Sequence, residues 1–239
     1  MRLTEAFDHV YVINLPARQD RRRDMTKELA RVGVAADDSR VTFFPAIRPD
    51  DQGYFPSIGA RGCFLSHLGV LKDARERGLN RILITEDDLT FSNLPVVHFD
   101  EALGTLDRFP WGIFYGGHRL SQVPTRRVAP TLVELEPGEP VMTTHMVAFQ
   151  GDVIERLILF LEAMLARPAG DPEGGPMHVD GAYTTFRRRS PEVVTLAAHP
   201  VLGDQRSSRS DIGRTAWYDR TPFIRDGVGF LRRVRNAVK

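Results

Sequence analysis

The chain has 239 residues, 42% hydrophobic and 26% charged, which suits one large globular domain with or without an appendage and excludes a disordered, fibrous or coiled-coil protein. With 32 Lys+Arg against 31 Asp+Glu the formal charge is +1, which argues against a protein devoted to nucleic acid. With a single cysteine, Cys63, neither an internal disulfide nor a cysteine-based zinc site is expected, and a cytoplasmic home is the expectation. No run of about 18 apolar residues is present, and the first residues lack a signal-peptide layout.

Val10–Leu15 is a short apolar run bounded by Pro16 and reads as a buried strand. Asp20 is placed to cap a following helix, with Met25, Leu29 and Val32 on one face and Gly33 as its stop. Val41–Phe44 reads as a second strand, followed by a polar loop containing Pro49, Gly53, Pro56 and Gly59. Leu65, Leu68, Leu71 and Ala74 form the stripe of a helix over Phe64–Arg77, ended by Gly78. Arg81–Thr85 is a third strand that runs into Glu86-Asp87-Asp88. Alternating strands and helices predict an α/β fold whose parallel sheet is covered on both faces. Further on, Gly112–Tyr115, Thr131–Leu135, Thr143–Phe149 and Val193–Ala197 are candidate strands. Val153–Leu165 and His178–Arg188 are candidate helices, and residues 203–222 read as polar and irregular.

Three adjacent carboxylates at the end of an apolar strand call for an explanation. Ligands of open α/β sheets bind outside the carboxyl ends of the strands. Like charges packed there are unfavourable unless a cation offsets them. Mg²⁺ or Mn²⁺ takes oxygen ligands, bridges a diphosphate and stabilises a departing phosphate. The alternative is a solvated acidic turn. Glu86-x-Asp88-x-Thr90 also looks like the strand-end signature of haloacid-dehalogenase-type phosphatases. That chemistry needs an Asp nucleophile where Glu86 stands and a later Lys, whereas Lys239 is the only one downstream, so it is rejected.

Four segments resemble glycosyltransferase family 25, the group of bacterial lipopolysaccharide glycosyltransferases and animal collagen galactosyltransferases. Val12-Ile13-Asn14-Leu15 with Arg18, Asp20 and Arg21 resembles its opening segment, and Gly62-Cys63-Phe64-Leu65-Ser66-His67 its G-C-x-x-S-H signature. Ile84-Thr85-Glu86-Asp87-Asp88 resembles its acidic motif, with Thr85 in place of a more usual apolar residue. Val179-Asp180, Pro200, Gln205 and Ser210-Asp211-Ile212 resemble its closing elements. The resemblance implies a GT-A fold, with a Rossmann-like nucleotide-binding half over about 1–117 and a smaller acceptor-binding half over about 118–222. It also implies an inverting transfer from a nucleotide-sugar, usually UDP-linked, to a hydroxyl of a glycan or lipid-linked acceptor, as in bacterial surface polysaccharide synthesis.

With that resemblance in hand, roles can be assigned. Asp88 is the first metal ligand, supported by Glu86 directly or through water, and Asp87 binds the donor's ribose or sugar. His199 is a second metal candidate, drawn from the habit of GT-A enzymes; the alternative is a packed surface histidine. Asn14, Arg18 and Arg21 stand where the nucleotide is held, although Arg21 next to Arg22 and Arg23 also reads as a solvated helix face. Ser66 and His67 are taken to open the second helix, whose free N–H groups and dipole would favour phosphate. Cys63 reads as packing. Asp180 is the candidate catalytic base; its alternative is a helix cap. His145 lines the cleft or sits in the core, and Gln205, Ser210 and Asp211 close over the donor from a loop. Residues 223–239 form a basic amphipathic tail, suited either to peripheral contact with an anionic membrane or to packing on the domain. The competing class is a non-catalytic nucleotide-sugar-binding protein of the same fold.

Overall fold

A computed structural model describes residues 3–35, 37–93, 96–122 and 126–206. The chain opens with a short helix α1 (Leu3–Ala6), strand β1 (His9–Asn14) and helix α2 (Gln19–Arg31). Strand β2 (Val41–Pro45), helix α3 (Ile58–Glu76), strands β3 (Arg81–Glu86) and β4 (Leu89–Phe91) and helix α4 (Val96–Leu106) follow. Next come β5 (Ile113–Arg119), β6 (Arg127–Ala129), β7 (Leu132–Leu135) and β8 (Met142–Gln150). Helices α5 (Val153–Leu165) and α6 (Val179–Arg189), then β9 (Thr195–Ala198) and β10 (Gly203–Gln205), complete the described elements.

Eight strands form one sheet in the order β2-β1-β3-β8-β5-β9-β7-β6. Only β7 and β8 run against the rest. The sheet is therefore mixed but mostly parallel by direction. The run of parallel strands expected from β–α alternation holds for β2-β1-β3 and is interrupted where β8 inserts antiparallel between β3 and β5.

The period-2 pattern of the strands sorts side chains into two cores. Tyr11, Ile13, Ile82, Ile84 and Val147 pack on one face with Phe64, Leu71, Leu157 and Tyr183 of α3, α5 and α6. Val10, Val12, Leu83, Phe114 and Met146 pack on the other with Leu3, Met25, Leu29 and Leu103 of α1, α2 and α4. Both faces of β1 are thus covered, and all six of its residues are buried. Each fully buried Leu, Ile or Phe contributes about 1.5–3 kcal/mol.

Helix boundaries follow local chemistry. Gly33, at φ +76°, ends α2, where its N–H and that of Val34 bond to the carbonyls of Ala30 and Leu29. Helix α3 begins at Ile58, six residues earlier than the Phe64 start read from the sequence, because Ser57 caps it by accepting the Ala60 N–H. Gly59 and Gly62, which read as loop, are inside it. Gly62 is there for contact: a Cβ would lie 2.8 Å from the Ile47 carbonyl oxygen of the loop that crosses the helix. Asp20 lies inside α2; Arg18 is the N-cap residue, and its guanidinium forms a two-pronged pair with Asp20. Helix α4 has no counterpart in the sequence reading. Gly203–Gln205, read as irregular, forms β10, which pairs antiparallel with β4 as a separate two-stranded sheet.

Candidate active site at the carboxyl ends of the strands

The parallel register of β1 on β3 sets Ile13 opposite Glu86, which brings Asn14 beside the residue after it. The Asn14 amide donates to Asp87 Oδ2 at 2.7 Å, and Arg21, one turn into α2, donates to Asp87 Oδ1 at 2.8 Å. Both carboxylate oxygens of Asp87 are thereby engaged, and Asp87 is buried. Arg21 is not a solvated helix residue; its side chain faces the acidic triplet and also lies 3.9 Å from Asp88 Oδ2. Arg206 donates to the Asp87 carbonyl, and its backbone N–H to that of Asp88. Thr85 satisfies its buried hydroxyl by donating to the Tyr11 carbonyl at 3.3 Å.

Asp88 is bound differently. Gln205 of β10 donates to its Oδ2 at 3.1 Å, while Oδ1 is buried without a hydrogen-bond partner. Burial pushes the Asp88 carboxyl above the usual range; Gln205, Arg21 and His145 pull it down and Asp87 pushes it up. Burial also raises Glu86, and the neighbouring charges of Asp88, Asp87 and Asp180 raise it further, against Arg21. The three carboxylates outnumber the Arg21 guanidinium ion-paired with them, and Asp88 Oδ1 is left without a hydrogen-bond partner. The donor set is all oxygen, which suits a hard divalent cation.

Asp180 sits in the first turn of α6. Its Oδ1 accepts the Gly181 N–H at 2.8 Å and its Oδ2 the Thr143 N–H at 3.3 Å. Thr143 has φ +68°, a conformation costly for a β-branched residue, and that conformation aims its N–H at Asp180. His145, two residues on in β8, is fully buried and donates Nε2–H to the Gly203 carbonyl at 3.1 Å, leaving Nδ1 without a partner. Gly117 makes room for this ring, since a Cβ there would come within 2.4 Å of Nε2.

The remaining candidates are placed as follows. Ser66 and His67 do not open a helix; they lie midway along α3, where the backbone N–H groups are already bonded, so the phosphate-at-a-helix-start role is withdrawn. Ser66 Oγ donates to the Gly62 carbonyl and accepts the Ile47 N–H, tying the loop to the helix. His67 is fully buried, with Nδ1 3.0 Å from the Tyr183 hydroxyl and Nε2 4.0 Å from Glu86 Oε1. His199 lies past the end of β9, where its backbone N–H bonds to the Thr131 carbonyl at 2.9 Å. Arg18 holds Asp20. Ser210, Asp211 and the tail 223–239 lie outside the described residues. Thr143, Arg206 and Tyr183 were not singled out from the sequence; Thr143 in particular carries no pattern that announces its backbone conformation.

The layered α/β architecture, with the acidic triplet at the carboxyl end of β3, is of the GT-A type. A solved glycosyltransferase involved in glycosylation of the major capsid of PBCV-1 matches it with a TM-score of 0.50, covering 91% of this chain and 98% of that one at 11% identity. Residues 7–108 are similar to the model of glycosyltransferase family 25 (LPS biosynthesis protein). Procollagen galactosyltransferase 1-B of Xenopus laevis is 32% identical over 158 residues, which is 57% of this chain and 23% of that protein. Inactive glycosyltransferase 25 family member 3 of Homo sapiens is 29% identical over 131 residues, 47% of this chain and 22% of that one. The chain thus spans under a quarter of the length of these curated relatives.

Proposed function

We propose that the protein transfers a sugar from a nucleotide-sugar, UDP-linked by preference, to a hydroxyl of a glycan or lipid-linked acceptor, with inversion, in the building of bacterial surface polysaccharide. The observation that carries this reading is Asp88, a buried carboxylate with one oxygen held by Gln205 and the other unpartnered, in an acidic triplet at the carboxyl ends of the strands. Asp88 would hold Mn²⁺ or Mg²⁺, with Glu86 adding negative charge nearby. When bound, the cation supplies charge neutralisation to the departing diphosphate.

The chain's own groups do the rest. Asn14 and Arg21 fix Asp87, which faces the donor as a hydrogen-bond acceptor. Asp180 takes the acceptor's hydroxyl proton as that oxygen attacks the anomeric carbon, and the carbon–oxygen bond to the diphosphate breaks with its electron pair leaving on the diphosphate. The N–H groups of Thr143 and Gly181 keep the Asp180 carboxylate oriented for this.

Among the described residues no helix is long and apolar enough to cross a membrane. A lipid-linked acceptor would be met at the inner membrane face, with tail 223–239 as the contact. The non-catalytic reading draws on the relatives named inactive; the complete carboxylate set and Asp180 favour turnover. A panel of nucleotide-sugars screened by thermal shift with and without Mn²⁺ tests binding, because a donor at about 100-fold its Kd adds roughly 2.7 kcal/mol. Donor hydrolysis in the same samples tests turnover. Mn²⁺-dependent stabilisation without hydrolysis or transfer would favour the binding protein.

A further inference from the structure

The acidic triplet uses Asp87 and Asp88 toward the donor, but Glu86 turns to the other side of the strand end, toward α3. Cys63 and His67 are one helical turn apart on α3 and so share a face. Among the described residues, Cys63, His67 and Glu86 are the one group of three whose ligand atoms all lie within 4.8 Å of one another. His67 is wholly buried, its Nδ1 is engaged with the Tyr183 hydroxyl, and its Nε2, 4.0 Å from Glu86 Oε1, has no hydrogen-bond partner. A buried ring nitrogen left without a partner costs about 1–3 kcal/mol and calls for an explanation.

We propose that Cys63 Sγ, His67 Nε2 and Glu86 Oε1 form a site for a borderline-soft divalent metal ion, Zn²⁺ first, distinct from the hard-cation position at Asp88. Three supports converge. The donor set of one sulfur, one nitrogen and one oxygen is the chemistry of Zn²⁺ and not of Mg²⁺ or Mn²⁺. With its proton on Nδ1 and donated to Tyr183, His67 presents the Nε2 lone pair inward, and a ring held by its second nitrogen is how ligating histidines are oriented. The charge also balances: on binding, the metal–sulfur bond forms, the thiol proton leaves to solvent, and thiolate plus carboxylate offset the double positive charge. The His67–Glu86 separation of 4.0 Å, with all three ligand atoms within 4.8 Å of one another, is close to the spacing of ligands around one tetrahedral ion.

The inference does not depend on sugar transfer. The full chain is stripped with chelator and titrated with Co²⁺, read by absorbance. The expected result is a near-ultraviolet thiolate-to-Co²⁺ charge-transfer band with tetrahedral d–d bands, displaced by Zn²⁺. Alkylation of Cys63 should slow when Zn²⁺ is present. Tyr183→Phe should weaken Zn²⁺ by about 10–100-fold, while Cys63→Ser and His67→Ala abolish the charge-transfer band. Absence of the band in the unmodified chain overturns the proposal without any variant having to fold. Survival of the band in a folded Cys63→Ser protein overturns it equally. Because Asp88→Asn is expected to keep the Co²⁺ band, loss of Mn²⁺-dependent donor binding in that variant is read separately from this site.

Discussion

On the β2-β1-β3 flank, the polar atoms around Asp87 are matched to one another: Asn14 and Arg21 occupy both oxygens of its carboxylate, and Arg206 covers its carbonyl. On the β8-β5-β9 flank they are left open. His145 Nδ1, His118 Nδ1 and Thr143 Oγ1 are buried without hydrogen-bond partners. Asp88 stands at the border, with one oxygen satisfied by the late strand β10 and the other free. Unmatched buried polar atoms each cost about 1–3 kcal/mol, a cost tolerated where a ligand completes them. Asp87 is thus fixed in position by its neighbours, whereas the β8-β5-β9 flank keeps buried polar atoms without partners.

The largest break in that contrast is Asp88→Asn. It should remove Mn²⁺-dependent donor binding and lower turnover by at least about 10²-fold, while the melting temperature holds or rises as like-charge repulsion is relieved. Thermal shift with Mn²⁺ and donor, followed by a turnover assay, checks both; full activity would sink the assignment. Next is Asp180→Asn, which should cost roughly 10²–10⁴ in turnover with donor affinity unchanged, measured by donor titration beside initial rates. A collapse of donor binding would move Asp180 into the donor site. On the matched flank, Arg21→Ala strips the partner from a buried carboxylate and should cost about 1–3 kcal/mol in urea unfolding. Adding Asp87→Asn should recover part of that loss, and strictly additive losses would show that the pair is not coupled. The smallest effect expected is Ser57→Ala, about 1 kcal/mol of stability from the lost α3 cap, with donor affinity intact.

The elements with strong local signals were legible in the sequence. β1 and β3 announce themselves by short apolar runs, α5 by apolar residues at helical spacing around Glu155, Arg156 and Glu162, and α2 by its stripe and closing glycine. The start of α3 was missed because Gly59 and Gly62 lower helix propensity, and the need for Gly62 lies in a crossing loop that the sequence does not display. That error carried Ser66 and His67 to a helix start where they do not stand. Helix α4 does contain Phe99, Ala102, Leu103 and Leu106 at helical spacing, but His98, Asp100 and Glu101 between them mask the stripe. The acidic triplet could be found because it sits where β3 ends. What each carboxylate does could not, because the deciding partners, Arg21, Gln205 and His67, come from three separate elements.

Gln205 reaches Asp88 across a sequence separation of 117 residues. On a chain emerging at about 5–20 residues per second, roughly 6–23 seconds pass between the appearance of the acidic motif and that of the amide that restrains it. During that interval β1, β2 and β3 can already pair and Asn14 and Arg21 can hold Asp87, while Asp88 still lacks its Gln205 partner. During synthesis, completion of the centre at Asp88 is therefore timed by the emergence of β10.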